Sequence, residues 1–160
     1  MGLIFQMTKY ERLLQKAHEN GAKVYEIDLG TDLPCGKCVN NFIFINSRVS
    51  DKEKYCILSE ELGHYHKTVG NITDQSIVSN VKQELIARKW GYERLVGIVD
   101  LINAHKSGVR NKFELAEYLH ITEEFLESAI EYYRSKYGIT YQIDNYIIYF
   151  HPNFGVLEII

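Results

Sequence analysis

Apolar and polar positions along this chain fall into blocks whose period changes from strand to helix. The run Asn41-Phe42-Ile43-Phe44-Ile45-Asn46 is apolar between two asparagines, which predicts a strand. Further on, Leu58, Leu62 and Tyr65 fall at i, i+4 and i+7, one stripe of a helix. Local signals mark where the elements begin and end. Thr8 with Glu11 forms a capping box, so a helix is expected from there to Asn20, stopped by Gly21. A short strand follows over 23–27, and the turn-rich stretch 30–41 is expected to be loop. Ser50 with Glu53 is a second capping box, and it opens the helix that carries the Leu58 stripe.

The second half reads as mainly helical. A loop is expected over 68–74, then a long helix over 76–96 that continues or re-enters to His105 before Gly108 breaks it. Asn111 starts a short helix. Thr122 starts another, with Ile121 and Leu126 placed as a hydrophobic staple, and it ends near Gly138. The tail over 140–150 predicts a hairpin turning at Asp144-Asn145, and 156–160 a further strand. These elements predict an α+β fold, a helical core with a small sheet and a C-terminal helical and hairpin region. The 160 residues fit a single domain, with a core over about 8–105 and an extension over about 110–160.

Composition narrows the functional classes. A net charge of −3 and a pI near 6.1 argue against a nucleic-acid binder, which would need a basic footprint. The segment 113–133 has helix-turn-helix spacing, but its second helix would open on Thr122-Glu123-Glu124, which repels phosphate. No apolar run is long enough for a membrane span, and the start lacks a signal-peptide pattern, so a cytoplasmic protein is expected. Met7 is an alternative start to Met1. The cysteines Cys35, Cys38 and Cys56 are odd in number, as in a reducing compartment. Cys35-Gly36-Lys37-Cys38 has no second pair to complete a zinc knuckle, and it is read as a turn. The twelve tyrosines are read as packing residues of core and surface, the other reading being a peptide groove.

Candidate chemistry sits in Glu60-Glu61-Leu62-Gly63-His64. Residues at i and i+4 lie about 40° apart around a helix, so Glu60 and His64 share a face on which both could hold one metal ion. Glu61, one position on from Glu60, could then reach a water on that metal. The arrangement has the geometry of a His-Glu-x-x-His zinc site, with Glu60 in place of the first His. A carboxylate oxygen is also a zinc donor. Glu84 is the candidate third ligand, because Ala87 and Gly91 on its face would let its helix come close to the first. The rival reading of Glu60-Glu61 is a solvated acidic face. His66 points about 200° away from His64 and cannot share its metal. His105, His120 and His151 are read as unrelated to the site.

Taken in order, Asn41–Asn46, the run from Tyr55 to Tyr65 around Glu60-Glu61-Leu62-Gly63-His64, and Gln83-Glu84-Leu85-Ile86-Ala87-Arg88-Lys89-Trp90 resemble the ImmA/IrrE metallopeptidase family, in its phage and mobile-element branch. The likeness extends to 114–119 and 124–126. The resemblance implies a gluzincin-like core and a Zn2+ cofactor held by Glu60, His64 and Glu84, with Glu61 as general base. It also implies a protein partner, a transcriptional repressor, that is cleaved or regulated. A non-catalytic binding module on the same fold, its metal site weakened by Glu60, is the alternative.

Overall fold

In the computed structural model, residues 5–68 and 77–160 are described, and they fold as α+β. The expected 68–74 loop falls outside the described residues beyond Thr68, the last residue of its helix. The chain divides into two compact units, Met1–Arg88 and Lys89–Ile160.

In the first unit, helix α1 (Lys9–Glu19) starts at the expected capping box. Thr8 Oγ1 accepts from Glu11 N at 3.1 Å, and Glu11 Oε2 accepts from Thr8 N at 2.8 Å. Strands β1 (Lys23–Ile27), β2 (Gly36–Val39) and β3 (Phe42–Asn46) form a sheet in the order β1-β3-β2. β1 runs parallel to β3, and β2 runs antiparallel to it at the sheet edge.

β2 corrects the sequence expectation of an unbroken loop over 30–41. Val39 pairs with Phe42, so Asn40 and Asn41 alone make the turn, and Asn40 takes φ 54°. Asparagine tolerates that left-handed conformation better than most residues, so the turn closes a tight hairpin. The Cys35-to-Cys38 segment is therefore mostly strand rather than turn. The sheet's inner face is Ile43 and Ile45, both fully buried. Asn46 is buried as well, and its Nδ2 donates to the carbonyls of Thr31 and Leu33 at 2.8 Å each. Those two bonds fasten the chain that leads into β2.

Helix α2 (Asp51–Thr68) packs on this sheet and on α1. Ser50 and Glu53 cap it reciprocally at 3.3 and 3.1 Å, as expected. Of the expected stripe, Leu58 and Leu62 are fully buried. Tyr65 is half-buried and donates its hydroxyl to the carbonyl of Asn20 at 2.6 Å. Helix α3 (Ile77–Leu95) begins in the first unit and ends in the second.

The second unit continues through α4 (Ile98–Lys106), α5 (Lys112–Leu119) and α6 (Glu123–Tyr137) to strands β4 (Thr140–Ile143), β5 (Tyr146–Tyr149) and β6 (Gly155–Glu158). The long helical pattern breaks at Gly97, whose N–H donates to the Asp100 carboxylate at 3.1 Å. The 140–150 hairpin forms as expected, with Asp144 at φ 50° in its turn. Ile121 and Leu126 are both buried at the start of α6. Four tyrosines, Tyr10, Tyr55, Tyr133 and Tyr146, are buried packing residues.

Candidate metal centre

The candidate centre lies where α2 meets α3 in the first unit. A Cβ on Gly63 would stand 2.3 Å from the carbonyl oxygen of Ala87 and 2.8 Å from its Cα. Both are backbone atoms that cannot step aside, so the helices touch main chain to main chain, and Ala87 is fully buried. The expectation that Ala87 permits close approach holds, and Gly63 is its counterpart on α2. This contact brings the side chains on either side of it within reach of one another.

Two pairs result. His64 Nε2 lies 3.2 Å from Glu84 Oε1. Arg88 Nε donates to Glu60 Oε1 at 3.2 Å. Glu60 faces Arg88 and His64 faces Glu84, so the two helices run antiparallel along this face.

Glu61 lies between α2 and the edge strand. Its carboxyl is pushed up to about 7, first by burial, then by the negative charges of Glu60 and Glu84, against a lowering hydrogen bond from the Cys38 backbone. Gly36 permits this closeness, since a Cβ there would lie 2.6 Å from Ile57 Cγ2, 2.8 Å from Phe44 O and 3.2 Å from Glu61 Cγ. Burial and the Glu61 charge push the Cys38 thiol up to about 11, so it is a neutral group rather than a nucleophile.

Two donors on a tetrahedral zinc, each ~2.0–2.1 Å from the metal, lie about 3.3 Å apart. The His64–Glu84 separation of 3.2 Å fits that spacing, and one imidazole nitrogen with one carboxylate is a suitable donor set. Glu60 does not join them. Among the described residues no three His, Cys, Asp or Glu side chains converge on one point. The sequence candidates are thus brought together as a pair, His64 with Glu84, near a half-buried acid, Glu61. Glu60 is turned to Arg88 one helical turn away.

A family model of the IrrE N-terminal-like domain, of the M78 peptidases, matches residues 14–131, more than half of the chain. The chain belongs to this family. No curated protein and no solved structure matches it. The match to the IrrE-like domain spans α2 and α3, so every residue of the centre lies inside the matched segment. It bears out the ImmA/IrrE resemblance.

Sequence reasoning missed Arg88, Gly36 and the Cys38 backbone. A glycine within a strand marks a close approach, so Gly36 carried a signal, but only once β2 was known to be a strand. Arg88 lies at i+4 from Glu84, a spacing that places it on the same face. His66 is exposed, its ring 5.0 Å from that of Tyr65. No described helix is long and apolar enough to cross a membrane.

Proposed function

We propose that this protein is a zinc-dependent peptidase acting on a protein partner, a repressor of a phage or other mobile element. The observation that carries the reading is the His64–Glu84 pair at 3.2 Å with the half-buried Glu61, its carboxyl pushed up to about 7, close by. His64 and Glu84 would hold the metal, with Glu60 as third ligand once it leaves Arg88. Zinc, when bound, supplies a Lewis acid that polarises the scissile carbonyl and makes water a stronger acid.

The chain's own residues do the rest. Glu61 has a proton affinity poised near neutrality, so its carboxylate can take the proton of the attacking water and return it to the departing amine nitrogen. The Cys38 backbone hydrogen bond fixes the orientation of that carboxylate. Gly36 leaves room for the Glu61 side chain against β2, since a Cβ there would lie 3.2 Å from Glu61 Cγ.

The test is zinc content of the protein purified without added metal or chelator, alongside His64→Ala, Glu84→Ala and Glu61→Gln. The expected result is about one zinc per chain, lost in the first two variants, as for a single ligand set. Glu61→Gln should keep both zinc and fold while losing cleavage of the co-expressed partner. A parent that takes up no zinc even when it is supplied would remove the peptidase reading. It would favour a non-catalytic binding module on this fold, a reading supported by the Glu60–Arg88 pairing.

A further inference from the structure

The α2–α3 face carries two rungs, and only one of them is suited to a metal. On the first, His64 meets Glu84 at 3.2 Å. On the second, four residues away on each helix, Glu60 meets Arg88 at 3.2 Å. A guanidinium is always protonated and pairs well with carboxylates, and here it holds Glu60 Oε1, so Glu60 is oriented toward Arg88 rather than toward His64 and Glu84. It also places a fixed positive charge beside the position a divalent cation would take. Both partners are partly exposed, Arg88 at 52% and Glu60 at 34% of the side chain. Such a solvated pair is weak, so a metal can displace it.

We propose that Arg88 is a built-in competitor for the third metal ligand, holding Glu60 on the rung next to His64 and Glu84 so that three-donor zinc binding requires Glu60 to exchange Arg88 for the metal. This rests on the reading of the centre as a zinc site and adds a control on how readily it loads. The device sets a threshold. At low free zinc Glu60 stays on Arg88 and the centre has two donors, and at higher free zinc the third donor is recruited. Arg88 is a positioning residue here, since it acts through Glu60.

The experiment is zinc affinity by competition with a chromophoric chelator, for the parent, Arg88→Met, Arg88→Gln, Glu60→Gln and the double variant Arg88→Met/Glu60→Gln, with helical content followed by circular dichroism. Arg88 is exposed, and two different replacements guard against a folding effect of either one. Both Arg88 variants should bind zinc about two- to fivefold tighter, the size of effect that losing an exposed ion pair gives, and Glu60→Gln should remove that gain. Unchanged or weaker binding in both Arg88 variants, with the parent still binding zinc through His64, would overturn the competition and leave the zinc site standing. A gain that survives Glu60→Gln would also overturn it, because relief of charge alone would then explain the change. Failure of the parent and both Arg88 variants to bind zinc would overturn this inference and the zinc reading together.

Discussion

The α2–α3 contact and the aromatic cluster on α6 handle their polar groups in opposite ways. In the cluster, Tyr133 stacks on Tyr137 with ring centroids 6.0 Å apart and on Phe150 at 5.8 Å. Its buried hydroxyl donates to the Val96 carbonyl at 2.7 Å, and burial pushes its ionisation well above the usual tyrosine range. The buried hydroxyl is neutral and satisfied, and the charged groups beside the rings, Lys136 and Glu93, pair with each other at 3.0 Å and stay partly exposed. At the α2–α3 contact, backbone presses on backbone, and a half-buried acid, Glu61, feels the charges of two other carboxylates. Nothing in the packing needs an acid at Glu61. A carboxyl raised by its surroundings in this way is the kind of environment in which catalytic acids and bases are tuned.

That contrast can be broken by substitution. Leu126→Ala, at a fully buried site on α6, should cost about 3 kcal/mol in chemical denaturation, with zinc stoichiometry unaltered. Gly63→Ala should cost about 2 kcal/mol, because the new methyl meets Ala87 backbone, and it should also lower zinc affinity by separating His64 from Glu84. If Gly63→Ala costs as much stability but leaves zinc binding intact, the close contact serves packing only. Tyr133→Phe should cost about 1 kcal/mol through the stranded Val96 carbonyl, with no effect on metal.

The smallest effect sharpens the first unit's side of the comparison. Tyr10 donates to Glu26 Oε1 at 2.6 Å, and this bond, with help from Lys54, holds the Glu26 carboxyl below its ordinary value. A lowered carboxyl contributes stability that is present above its unfolded value and lost as pH falls through the folded one. Glu26 is partly exposed, so Tyr10→Phe should cost only about 1 kcal/mol at pH 7, and the difference from the parent should shrink below about pH 4. Denaturation curves at both pH values would check it. A difference that stays constant with pH would assign the loss to packing.

Much of this was legible in the sequence, and the residues show why. The capping boxes at Thr8 and Ser50 are short-range chemistry, and both form as written. The Leu58–Leu62 stripe is set by helical period, and it is buried as read. Glu61, His64 and Glu84 can be named as candidates from sequence because i, i+4 spacing and a small residue on the facing helix are one-dimensional signals. β2 was missed because turn-forming residues dominate 30–41, while the register that makes a strand of Gly36–Val39 is supplied by its partner β3. The Glu60–Arg88 pair was missed for a related reason. Both residues were on the expected faces, but which of two neighbours a carboxylate takes depends on the helix-to-helix offset, which no local pattern encodes.

The central claim is that the metal belongs to the α2–α3 face. Zinc-edge X-ray absorption on the zinc-loaded parent tests it most directly, because it reads donor type. Nitrogen or oxygen donors at about 2.0–2.1 Å are expected, with the outer-shell scattering of one imidazole ring and no sulfur, and His64→Ala should retain no bound zinc to give a spectrum. Sulfur donors at about 2.3 Å would place the metal on the cysteines around β2 instead and contradict the assignment.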